Sequence, residues 1–172
     1  VLCQLTYDHN MDYAKNYTGT AGGFNVSSDF ENGAVVNVIS GNNYVGQFTV
    51  AGGNVDVSAV DASLTAAEIG LKFDVNLTTN PIDVSLSNGP VTGKPRALAS
   101  VILDLNNTLS TSVNNTNLVI RNTTDDLSLQ QQPFTGKKEF RLLGYSRDPQ
   151  ITISQNAPLP MQVNGLVAEL VI

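Results

Sequence analysis

The chain has 172 residues with 41% hydrophobic and 14% charged content, and a formal net charge of −6. That is enough apolar material for a core, with far fewer charges than the roughly 25% of ordinary soluble domains. The deficit is filled by Asn, Ser, Thr and Gly, which make a neutral polar surface. Its one cysteine, Cys3, excludes an internal disulfide framework.

The charge is uneven. Residues 1–86 carry Lys15 and Lys72 against nine acids, a balance of 2 − 9 = −7. Residues 87–172 carry seven bases against six acids, a balance of +1. Neither half has the basic stripe that neutralises phosphates, so nucleic acid near this chain is passing by and not gripped. No run approaches the ~18 apolar residues of a membrane-spanning helix. No secretory leader pattern follows Val1, and the Val start is that of a processed chain, a fragment, or a chain joined partway along a longer protein.

In chain order, residues 1–24 contain aromatics but little periodicity, and read as an irregular arm leading in from a longer chain. From residue 25 the period is two. "GAVVNVIS" reads as a strand with Val36 and Val38 on one face, followed by "YVGQFTV" after Gly41-Asn42-Asn43 and "NVDVSAV" after Gly52-Gly53, a three-strand meander. Thr65 and Glu68 have the spacing of a capping box, a short helical turn. Leu71, Phe73 and Val75 then alternate with Lys72 and Asp74 as a strand.

Ser87–Pro95 is the stretch richest in breakers and the best boundary. The expected organisation is an arm over 1–24, a small β module over 25–86, a linker over 87–96 and a second β module over 97–172. In the second module Ala99, Val101 and Leu103 alternate with Ser100, Ile102 and Asp104, "TTDDLSLQQQPFTG" is a loop, and Ile151 and Ile153 share a face. The fold class is all-β, as two small antiparallel sandwiches or barrels. The last strand has Leu166, Ala168, Leu170 and Ile172 on one face and Val167, Glu169 and Val171 on the other, so it is expected to be covered on both sides, closing a sheet and facing a neighbouring domain or subunit.

Chemistry is sparse. Asp8, the sole histidine His9, and Asp12 could form a small metal or acid/base site, but read better as an exposed polar arm. Asp125-Asp126 is the only adjacent acid pair; neighbours on an extended segment face opposite ways, so it reads as a solvated loop and not a glycosidase pair. There is no nucleophile elbow, phosphate loop or EF-hand pattern. The expectation is no enzyme, no cofactor, no metal and no small-molecule substrate. Asn-x-Ser/Thr occurs at Asn16, Asn25, Asn76, Asn106, Asn114 and Asn122, as expected by chance in so Asn- and Thr-rich a chain or from a glycosylated secreted protein.

Gly144 ends a strand, Asp148-Pro149 initiates a turn, and Pro158 with Pro160 bars ladder pairing and makes a corner. Arg147 either clamps a carboxylate across the turn or is solvated. Four pieces in this order, Phe134-Thr135-Gly136, Gly144-Tyr145-Ser146-Arg147-Asp148, Ile151 to Gln155 and Pro158-Leu159-Pro160, resemble the C-terminal end of the tail nozzle proteins of short-tailed phages (podoviruses), also called tail tubular protein B. "FENGAVVNVISG", "VAGGNVDVSA" and Tyr17-Thr18-Gly19 resemble the same family more weakly, with Asn32 where that family has Gly. The resemblance implies a structural, non-enzymatic part of a virion tail: a hexameric ring forming the DNA exit channel, in contact with an adaptor ring and tail fibres, with DNA passing through without specific binding. The structural motif residues it marks are Phe134, Thr135, Gly136, Gly144, Tyr145, Arg147, Asp148, Pro158 and Pro160. The alternative is a secreted β-sandwich glycoprotein, a filament subunit or adhesin.

Overall fold

The computed structural model describes residues 9–83, 85–86, 89–90, 94–126, 129–142, 144–155 and 157–171. No helix occurs among them, and every strand pair is antiparallel. The chain forms two compact units. One comprises residues 1–73, 123–132 and 157–160; the other comprises 74–122, 133–156 and 161–172. Of the linker expected over 87–96, residues 87, 88 and 91–93 lie outside the described residues, Gly89–Pro90 is a short strand and Arg96 begins a long one.

The first unit holds β1 (Met11–Thr18), β2 (Gly23–Asn25), β3 (Val35–Ser40), β4 (Asn43–Thr49), β5 (Asn54–Asp56) and β6 (Ala66–Lys72). Its main sheet has the order β1-β6-β3-β4, and β2 pairs with β5 in a second layer. Period-2 alternation sends Val36, Val38, Ala67 and Ile69 inward to meet Phe24, Val26, Val55 and Val57 in one apolar core. Fully burying each such valine, isoleucine or phenylalanine is worth about 1.5–3 kcal/mol.

Three expectations are corrected here. The arm expected to be irregular over 1–24 is strand over Met11–Thr18, an integral member of the sheet. The capping-box turn at Thr65–Glu68 is instead the start of β6, because burying Ala67 and Ile69 outweighs the helix propensity of two alanines. The expected meander keeps only its β3-β4 hairpin: β6 separates β3 from β1, and β5 pairs with β2.

The unit is also an internal duplication. Residues 11–40 and 42–71 superpose in sequence at an offset of 31, with β1, β2 and β3 corresponding to β4, β5 and β6. The hydrogen bonds repeat at the same offset. Val26 N–H donates to Gly53 O at 2.9 Å and Val57 N–H to Gly22 O at 2.8 Å; Gly19 N–H donates to Thr65 O and Val50 N–H to Ala34 O, both at 2.9 Å. The cross-strand pair Val38–Ile69, whose members are equivalent, marks the pseudo-two-fold axis at the centre of the sheet.

The second unit holds β7 (Asn76–Thr78), β8 (Ser85–Leu86), β9 (Gly89–Pro90), β10 (Arg96–Thr108), β11 (Ser112–Val113), β12 (Thr116–Asn117), β13 (Phe134–Arg141), β14 (Tyr145–Ser146), β15 (Thr152–Ser154) and β16 (Val163–Val171). Thirteen-residue β10 is the spine, with β13 and β14 along one side and β16 along the other. A second sheet runs β12-β11-β15-β7. The core joins Leu98, Val101, Leu103, Leu105 and Phe140 to Val113, Ile151 and Ile153. In β16, Leu166, Ala168 and Leu170 pack on this core, while on the other face Val167 is 65% exposed and Val171 47%.

Candidate functional site

Four motif residues of the second unit, Gly144, Tyr145, Arg147 and Asp148, lie in the loop at the Arg96 end of β10. Arg96 opens that strand after Pro95 and is 1% exposed, the largest fully buried side chain described. A buried guanidinium must be hydrogen-bonded and paired. One terminal nitrogen donates to Ile82 O at 2.8 Å and to a carboxylate oxygen of Asp83 at 2.9 Å; the other donates to Arg147 O at 2.7 Å. Nε is buried with no acceptor among the described residues. Arg96 thus ties the 82–83 segment to the Gly144–Pro149 loop.

That loop is shaped by its own residues. Gly144 has φ 114°, where a β-carbon is strained. Tyr145 and Ser146 pair with Ala97 and Arg96 as β14. Ser146 Oγ accepts the Asp148 N–H at 3.1 Å, and Pro149 O accepts the Ile82 N–H at 2.9 Å. Arg147 serves through its carbonyl: its side chain is exposed and forms no ion pair among the described residues, which decides the sequence alternative for solvation. Tyr145 is 75% exposed at the rim of a hollow of about 240 Å³ floored by Arg96 and Leu98.

The other motif residues are separate from this loop. Phe134 packs partly on the core, Gly136 has φ 140° in β13, and Thr135 Oγ1 accepts the Asn107 N–H at 3.0 Å. Pro158 and Pro160 flank Leu159 in the first unit, where Pro158 O accepts the Asn10 N–H at 3.1 Å. The motif therefore marks several scaffold points and not one pocket.

In the first unit the expected Asp8-His9-Asp12 grouping does not assemble. Asp8 lies outside the described residues and Asp12 is exposed on β1. His9 Nδ1 instead meets a Glu68 carboxylate oxygen at 2.5 Å, with the side chains 11% and 8% exposed. The other Glu68 oxygen and Asn37 Nδ2 are buried without partners among the described residues. Asn37 and Glu68 are equivalent under the duplication, and Asn37 Oδ1 accepts the Tyr44 hydroxyl at 2.7 Å. No group of three or more metal-ligating His, Cys, Asp or Glu occurs among the described residues.

A second polar cluster surrounds Asp29, which Lys15 contacts directly and the hydroxyls of Ser28 and Tyr17 reach at 2.7 and 2.8 Å. The Lys15 contact, then those hydroxyls, hold the Asp29 carboxyl down to about 2, and Asp29 raises Lys15 in turn. Beside it Tyr13 has φ 51° in a bulge of β1. An equivalent register shift faces Tyr44 and Gly46 in the other repeat, so the bulge belongs to the duplicated fold and not to a site. Asp125 and Asp126 are exposed in a turn, in line with a solvated loop.

Sequence reasoning missed Arg96 and Glu68. The available signal was a lone charge in the middle of, or opening, an apolar strand pattern. Neither a protein-family model nor a curated protein matches this chain.

Proposed function

We propose that this chain is a structural virion component, part of a hexameric phage tail nozzle, acting by assembly and conduit and not by catalysis. The observation that carries the reading is that residues of the resemblance serve as scaffold: Gly136 and Gly144 supply left-handed backbone, Phe134 packs on a core, and Arg147 offers its carbonyl to a buried arginine. Such residues keep the shape of a rigid wall, which is what a ring needs. The ring would surround the DNA exit channel and present docking surfaces to an adaptor ring and tail fibres. The acidic first half, carrying −7, suits a wall that DNA slides past. Electron microscopy of the parent assembly tests this: a six-fold ring on a short tail is expected, and a continuous helical filament would refute it.

A secreted glycoprotein is the second reading, favoured by the exposure of Asn16, Asn25, Asn76 and Asn122. Against it, Asn106 Nδ2 already donates to Gln162 Oε1 at 3.0 Å and Asn114 Nδ2 to Gln150 O at 3.3 Å. Intact mass of the natural protein separates the two, since glycans add mass at the exposed sites.

A further inference from the structure

We propose that the outer edge of β16 is a pairing site for the β13 edge of a second copy of this chain, so that the β13-β10-β16 sheet continues from copy to copy. The identity of the partner as another copy rests on the ring reading; the surface rests on the sheet itself. β10 is flanked by β13 and β14 on one side and β16 on the other, so the outer edges of eight-residue β13 and nine-residue β16 face away from the sheet. Among the described residues no backbone hydrogen bond reaches either edge.

Unpaired edges are templates for further strands, and proteins that stay single blunt them with charge, proline or short length. β13 is blunted by Lys137, Lys138, Glu139 and Arg141. β16 is long, lacks proline, carries one charge, Glu169, and turns Val167 and Val171 outward beside half-buried Ile102. Its opposite face is already spent on the core, so the open edge borders a valine row on the solvent face of the sheet.

Charge selects which edge fits. β13 carries three bases and one acid, 3 − 1 = +2, and β16 carries −1. Joining β16 to β16 or β13 to β13 sets like signs together; only β16 to β13 joins opposite signs, and opposite-charge cross-strand pairs are the favourable ones. Both strands run antiparallel to β10, so they are parallel to each other, and a copy laid alongside in the same sense makes a parallel β16–β13 ladder. The exposed side chains of Lys137 and Arg141 can lay their aliphatic stems over the valines and bring their charges to Glu169. Such a contact is heterologous, so it builds a ring where the rotation closes and a fibre where it does not.

The test uses the full chain in light scattering and native mass spectrometry across a concentration series, with circular dichroism as a fold control. Wild type is expected to associate beyond a dimer. V167K, which spoils only the β16 edge, and K137E/R141E, which spoils only the β13 edge, are each expected to raise the half-association concentration at least about tenfold. Mixing the two variants is expected to give a heterodimer and stop there, because each retains one sound edge. A chain that stays monomeric, a wild type that stops at a dimer, or variants that do not complement would overturn the proposal. A six-fold ring that persists in V167K overturns this contact and leaves the nozzle reading standing. Association needing both edges, in a protein microscopy places on no phage tail, supports the contact and ends that reading.

Discussion

Replacing Arg96 by Met keeps most of the side-chain volume and removes every polar contact. The wild-type guanidinium makes three hydrogen bonds, to Ile82 O, Asp83 and Arg147 O. Asp83 is 50% exposed, so water replaces its partner and that ion pair is worth ~1 kcal/mol or less. The two carbonyls are different: each bond to a charged donor is worth about 1.5–3 kcal/mol net. Met gains back part of this, since the buried charge and the unpartnered Nε disappear with the arginine. The balance is a loss of roughly 2–4 kcal/mol, a large share of the ~5–15 kcal/mol that holds a typical domain. Arg96→Lys should lose nearly as much, because a single ammonium lacks the fork that spans Ile82 and Arg147. Urea denaturation followed by circular dichroism gives the midpoint. Hydrogen exchange at residues 144–150 locates the loss, which should appear there first. Should R96M unfold within about half a kcal/mol of wild type, a level typical of neutral surface changes, the anchoring role assigned to Arg96 is wrong.

Other changes address the first unit. Asp29 has its carboxyl lowered to about 2 against an unfolded value near ~3.9, so its contribution is present in full above pH ~4 and fades as pH falls towards 2; Asp29→Asn should flatten the acid limb of a thermal-melting-versus-pH curve, and an unchanged limb would count against the cluster. His9→Ala strands the Glu68 carboxylate and should cost about 3 kcal/mol, whereas H9F/E68L should recover most of it, as judged by paired urea midpoints. Gly22→Ala places a β-carbon 2.8 Å from Ser58 N at φ +77°, and Gly53→Ala one 2.7 Å from Ser27 Cβ at φ +76°; each should destabilise by roughly 1–3 kcal/mol, and tolerance of both would refute the close crossing of the two repeats.

What could be read from the sequence was the alternation of strands buried on one face. Ile151 and Ile153, and Val101 and Leu103, went inward as their period demanded, with Ala99 half-buried beside them. β1 was hidden for physical reasons. It is mostly exposed, so no apolar alternation marks it, and the bulge at Tyr13 interrupts its register. β16 poses the opposite question. Two apolar faces on one strand do not say whether the second face is covered within the chain, and here Val167 and Val171 stay open. The Gly144–Pro149 loop was visible as a turn, but its anchor was not, because Arg96 is fifty-one residues from the carbonyl of Arg147 that it holds.

The duplication is faint in the sequence because the two copies share only Tyr13/Tyr44, Thr18/Thr49, Gly22/Gly53, Val26/Val57 and Ser27/Ser58 over thirty positions. Three of those five lie where the copies cross, at the reciprocal Val26–Gly53 and Val57–Gly22 bonds. The crossing tolerates little change because a β-carbon at either glycine would press on the other copy's serine. Elsewhere each copy needed only the right class of residue, so Phe24 stands opposite Val55 and Val38 opposite Ile69 in one core. The surfaces then diverged freely: Lys15 and Asp29 on one copy correspond to Gly46 and Val60 on the other. A fold set by such a crossing can change its outer faces without losing its shape.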